Sequence, residues 1–189
     1  TRVEAAELIK GLLPLAKDAK IEVAVCPPFT ALETVAQLVK GTNIRLGAQN
    51  CYFEPSGAFT GEISIGMLKE IGCDCCIIGH SERRQFFGET DEGVNKKAKA
   101  LIAEGLTTII CVGETLEQRE ANQTEAIVIG QIKGAYAGIS AADAAKTQEA
   151  LAALTAKARA AAAKALYQQG KALFDAGRTR EAKALLEQA

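Results

Sequence analysis

Four short apolar runs, "IEVAV" (21–25), "NIRLGAQN" (43–50), "CCIIG" (75–79) and "TTIICVG" (107–113), alternate with segments patterned as helices. That rhythm constrains the fold more than any other feature, because strand, helix and strand in succession are the signature of parallel βα units. Residues 3–18 read as an amphipathic helix ahead of the first run. "PPFTALETVAQLVKG" follows that run, with Thr30 and Glu33 in capping-box spacing and Gly41 as the stop. "EISIGMLKEIG" predicts a short helix, and "DEGVNKKAKALIAEG" a longer one closed by Gly105. Thr115 and Gln118 again have capping-box spacing, before a helix expected to reach about residue 137. In such units the residues that do chemistry are expected just beyond the C-terminal ends of the strands.

Near residue 140 the composition changes. From Ala141 onward 19 of 49 residues are alanine, with no Val, Ile, Pro or Cys, and the charge is +3 against −4 for the remainder. Alanine is the strongest helix former, and no Gly or Pro interrupts the chain between Ser140 and Gly170, so a long helix is expected. "GRT" at 177–179 reads as a turn into a final helix, "REAKALLEQA". "AKALYQQGKALFDAGRTREAKALLEQA" resembles one tetratricopeptide unit, with Gly170, Leu173, Gly177, Ala182 and Ala189 on its small or apolar positions. Such units are stable by stacking, so an alanine-rich hairpin packed on its host fits this stretch equally well. The expected division is a βα segment, 1–140, and a helical segment, 141–189.

A net charge of −1 and a pI near 6.0 give no signal for nucleic acid or a membrane surface. No apolar run is long enough to span a bilayer, and no signal-peptide pattern is present. Thr1 rather than Met at the start implies a trimmed chain or residues preceding it. The six cysteines are Cys26, Cys51, Cys73, Cys75, Cys76 and Cys111, most of them in or beside apolar runs. They read as reduced packing thiols of a cytoplasmic protein. Cys73 and Cys76 form a Cys-x-x-Cys, but no second pair stands at zinc-site spacing. Residues three apart in a strand also face opposite sides. No metal and no cofactor are expected.

Four longer motifs carry more information: "VCPPFTALETVAQLVKG", "LGAQNCYFEPSGAFTGEIS", "IIGHSERRQFFGETDEGVNKK" and "CVGETLEQRE". From about Val3 to Ile139 the chain closely resembles the triosephosphate isomerase family, dimeric (β/α)₈ barrels. The resemblance matches the four runs to that family's second to fifth strands and residues 3–18 to its first helix. Taken with the alanine-rich stretch, it implies an α/β fold: a partial (half) TIM barrel of about four parallel strands with flanking helices, plus, from the composition of 141–189, an all-α C-terminal helical hairpin packing on it. His80 matches the family's electrophile, a neutral imidazole at a helix N-terminus that polarises the substrate carbonyl. Ser81 and Glu82 match its neighbours, with Glu82 a supporting carboxylate, and Cys111 matches a cysteine packed around the catalytic base. Gln49, Asn50 and Thr60 belong to a loop that reaches a partner subunit in the family. Here that loop is either retained for self-association or orphaned.

The isomerisation needs a carboxylate base, an electrophile and a phosphate anchor together. Patterns such as "NWKMN", "AYEPVWAIGTG" and "YGGSV", which carry the anchoring Lys, the basic Glu and further phosphate contacts, do not occur in these 189 residues. No substrate-binding residue is therefore assigned, and His80 and Glu82 are expected to be vestigial. Ile65 and Gly66 depart from the family pattern, as does "DCC" at 74–76. Ile127, Val128, Ile129 and Ile132 make a normally charged helix apolar, which suggests a new packing partner. Four strands taken from a closed barrel leave two open edges and a bare inner face, to be covered by residues 141–189 or by a second copy. The leading expectation is an engineered or recombined chimera, structural and without catalysis. The alternative is triose-phosphate isomerase activity retained by oligomerisation or by complementation with the missing barrel half. A peptide-binding module is a third reading, resting on the single tetratricopeptide-like unit.

Overall fold

The computed structural model describes residues 1–143. Its elements alternate as the rhythm predicts: α1 (Arg2–Ala16), β1 (Val23–Val25), α2 (Leu32–Val39), β2 (Ile44–Ala48), α3 (Ile65–Ile71) and β3 (Cys75–Ile78). α4 (Ser81–Phe87), α5 (Asp91–Ala103), β4 (Thr107–Ile110), α6 (Leu116–Glu120) and α7 (Thr124–Ala135) follow. The four strands form one sheet in chain order, every neighbouring pair parallel. This is the partial barrel architecture that the sequence implies. The expected hairpin in 141–189, and the question of what it packs on, lie outside the described residues.

The register explains how the sheet is covered. Ile44, Leu46 and Ala48 of β2, Cys76 and Ile78 of β3, and Ile110 of β4 point to one face and are all buried. Helix residues close over them in one apolar cluster: Ile9 from α1, Val35 and Val39 from α2, Leu68 from α3, and Val94, Ala98 and Leu101 from α5. The alternate residues form the inner face, where Ala24, Arg45, Gly47, Cys75 and Thr107 share rows across the sheet. Ala24 is exposed and Arg45, Ile77, Thr107 and Ile109 are only half-buried. Parallel sheets ordinarily bury both faces, so the described residues cover this one on one side.

Three local expectations need correction. Thr30 caps nothing: it lies within a 3₁₀ turn, Phe29–Ala31, and α2 starts from Ala31 without a side-chain cap. The two prolines just before it hold the chain extended at Pro28, φ −55° and ψ 151°, which displaces the helix start past the capping threonine. The helix expected to run from Thr115 to about 137 is two helices. Its capping box forms, with Gln118 N–H donating to Thr115 Oγ1 and Thr115 N–H to Gln118 Oε1. Asn122 then takes φ 57°, a left-handed conformation that ends α6 before α7 begins. Finally, Cys73 precedes β3 instead of lying in it, so the opposite-face argument does not apply, and Cys73 and Cys76 join the same core.

α7 packs along α5, where Asn95 Nδ2 donates to Ala135 O and Ala137 O at 2.8 and 2.9 Å. Of the four apolar residues singled out on α7, Ile127 and Val128 are half-buried while Ile129 and Ile132 stay exposed. The partner expected from the C-terminal helices falls outside the described residues. No helix among the described residues is long and apolar enough to cross a membrane. Leu101 is fully buried where α5 meets the sheet, so Leu101→Ala is expected to cost about 2–5 kcal/mol of stability. Urea denaturation should show this as a lower midpoint with an unchanged slope.

Candidate active site

The strand ends bring the candidate residues together because the strands are parallel and in chain order. Cys26 follows β1, Gln49 and Asn50 follow β2, Gly79 and His80 follow β3, and Cys111 follows β4. Gly79 makes the turn into α4 with φ 71°, and a Cβ there would stand 3.0 Å from Cys111 O and 3.1 Å from Val94 Cγ2. Only glycine satisfies both the conformation and the space. His80 is the N-cap of α4, and its Nδ1 accepts from the backbone N–H of Glu82 at 3.3 Å. An imidazole accepting at Nδ1 carries its proton on Nε2, which among the described residues has no hydrogen-bond partner. The Glu82 carboxylate is exposed and lies 3.7 Å from Nδ1. A lone pair there gains nothing from a carboxylate, so the backbone contact fixes the tautomer.

A charge network links the segment after β2, α4 and α5. The Lys97 side chain is 9% exposed, and its ammonium donates to Asn50 Oδ1 at 2.8 Å and to Glu89 Oε1. Glu89 Oε2 faces Arg83 Nε at 3.5 Å, an ion-pair contact without a formed hydrogen bond, since both atoms are buried and unbonded. Arg83 also lies over the Phe87 ring, 5.0 Å from its centroid. Arg84 donates from Nε to Gly79 O at 2.9 Å and from Nη1 to Asp91 Oδ1 at 2.6 Å. These contacts fasten α4 to the turn before it and to α5 after it. Sequence reasoning missed Lys97, because "NKKAK" reads as the solvated stripe of an amphipathic helix.

The predicted residues take unequal places. Gln49 is exposed, with Nε2 donating to Cys26 O at 2.9 Å, whereas Asn50 turns inward to Lys97. Thr60 stands exposed on the excursion between β2 and α3. That excursion is closed by Tyr52 N–H donating to Ile63 O at 2.8 Å and by Tyr52 packing on Phe53 and Phe59, centroids 4.4 and 4.8 Å away. Cys111 is half-buried, and burial raises its thiol above the usual range. The nearby carboxylates are engaged elsewhere: Glu89 with Lys97, and Glu114 with Arg119 Nε at 2.8 Å and Thr124 Oγ1 at 3.1 Å. The Arg119 hydrogen bond holds Glu114 below the ordinary carboxylate range. Among the described residues no cluster of three or more His, Cys, Asp or Glu side chains is placed to hold a metal ion.

The family model described as triosephosphate isomerase matches residues 1–160. The triosephosphate isomerase of Clostridium botulinum (strain Loch Maree / Type A3) is 59% identical over 130 residues, 69% of this chain and 52% of that relative. That of Clostridium acetobutylicum is 56% identical over 143 residues, 76% of this chain and 58% of the relative. That of Geotalea uraniireducens is 54% identical over 141 residues, covering 74% and 56%. The chain thus spans about half the length of the curated relatives it matches.

Breaking a buried ion pair strands a charge, so Lys97→Met is expected to destabilise the chain by about 3–5 kcal/mol. Lys96, whose pair with Glu92 is solvent-exposed, gives the control, and Lys96→Met should leave the denaturation midpoint nearly unchanged.

Proposed function

This chain belongs to the triosephosphate isomerase family, and on that premise we propose that it carries the electrophilic part of an isomerase site as a chimeric, structural protein that is catalytically silent alone. The observation that carries this reading is the isolation of His80. Its Nε2 proton is held ready for a carbonyl oxygen, yet Glu82 is the one carboxylate within 4 Å among the described residues, on the Nδ1 side. Glu89 and Glu114 are committed to cations, so neither is free to abstract a proton.

Isomerisation of a triose phosphate removes a proton from the carbon beside the carbonyl and returns it one carbon along. The electrophile stabilises the enediolate, the base moves the proton, and the anchor fixes the phosphate against both. General acid–base groups contribute about 10²–10⁴-fold each, and positioning contributes more. An imidazole alone stabilises charge that no free carboxylate beside it among the described residues generates. His80 and Glu82 are in this reading vestigial. The alanine-rich stretch that starts at 141 and runs past the end of the family match at 160 is the grafted part.

The purified chain is expected not to interconvert dihydroxyacetone phosphate and glyceraldehyde 3-phosphate above background. Added to a separate polypeptide bearing the missing lysine and glutamate, it should give turnover that His80→Gln removes. Turnover by the chain alone that His80→Gln abolishes would overturn the proposal in favour of an isomerase assembled from copies of this chain.

A further inference from the structure

Gly47 sits on β2 in the inner-face row, paired with Cys75 of β3, and Cys26 lies beyond β1 on its other side. A Cβ on Gly47 would stand 2.6 Å from Cys26 Sγ and 2.7 Å from Cys75 Sγ. Two sulfurs therefore converge over one gap that exists only because position 47 lacks a side chain. Cys75 is 1% exposed, while Cys26 is half-buried and lies toward the uncovered inner face. Arg45 is on the same face two residues before the glycine, its Nη2 donating to Thr107 Oγ1 at 2.9 Å and to Asp74 O at 3.3 Å.

A disulfide does not suit this pair. A whole strand separates their backbones, roughly twice the 4.7–4.9 Å strand spacing, whereas a disulfide needs Cα atoms within about 7 Å. Sulfurs that meet across such a span, with no group of three or more His, Cys, Asp or Glu side chains among the described residues placed to hold an ion, suit a soft ion that accepts two thiolates. We propose that Cys26 and Cys75 form a two-coordinate site for a thiophilic d¹⁰ monovalent cation of the copper(I) class. Binding forms two metal–sulfur bonds and releases the two thiol protons, with no change of oxidation state. The resulting dithiolate complex carries one negative charge, and the Arg45 guanidinium offsets it.

The test uses Ag⁺, a redox-inert ion of the same class, added to the reduced full-length chain in chloride-free buffer and followed by native mass spectrometry and the thiolate-to-metal absorption. One ion per chain is expected to survive competition by a moderate thiol chelator and an equal concentration of Zn²⁺. Cys26→Ser and Cys75→Ser should each weaken retention by about 100-fold or more, and Cys73→Ser and Cys111→Ala should not. Gly47→Ala, if folded by circular dichroism, should also lose the ion while keeping all six thiols. Cys26 is half-exposed, so Cys26→Ser decides the matter should the buried variants fail to fold. No tight ion, displacement by zinc, or an ion retained in Cys26→Ser but lost in Cys51→Ala would overturn the site.

Discussion

The buried ammonium of Lys97 holds the C-terminal rim of the sheet in place. A charge taken out of water on α5 must be met by fixed partners, and those partners come from different parts of the chain: Asn50 after β2 and Glu89 after α4. Once Glu89 is fixed, Arg83 has a carboxylate to face, and Arg84 clamps Gly79 to Asp91. The outcome is a short helix, α4, whose first residue has little freedom. His80, the N-cap of that helix, therefore sits at the end of an element held by a largely buried charge network.

The same sheet answers a second constraint unevenly. Its outer face is a close-packed layer of aliphatic and thiol side chains under four helices, whereas its inner face carries Ala24, Arg45, Gly47 and Thr107. A barrel interior is a packed core, filled by large side chains from alternate strands. Small and polar residues in these rows leave room across the strands. The convergence of Cys26 and Cys75 over Gly47 is the local form of that room, and it arises from a glycine where any Cβ would collide with two sulfurs.

How much of this was legible in the sequence follows from the range of the interactions involved. The strands were readable because β-branched and apolar runs bounded by turn residues leave few alternatives. The Thr115 capping box was readable because its partners are three residues apart. The Thr30 box has the same spacing but loses to Pro27 and Pro28, which dictate the backbone just ahead of it. The break at Asn122 left a weak signal, an asparagine in "EANQT", since asparagine tolerates the left-handed region better than most residues. Lys97 and the Cys26–Cys75 pair were not legible. Their partners are 47 and 8 residues distant for the lysine and on a non-adjacent strand for the thiol, so only the register reveals them.

Locality also explains how, on the proposed reading, the residue aligned with an isomerase electrophile keeps its setting within this segment. The Nδ1 contact that selects the His80 tautomer is made to a backbone N–H two residues on, and the turn before it depends on Gly79. The helix N-terminus, the tautomer and the buried clamp all lie between β2 and α5. Nothing in that set requires the rest of a barrel. A base and a phosphate anchor differ in kind, because each must meet the imidazole across the mouth of a closed sheet at a distance set by every intervening strand. On that reading, a segment that folds through its own parallel units preserves the group whose geometry is local, while the geometry of the base and the anchor depends on elements beyond those units.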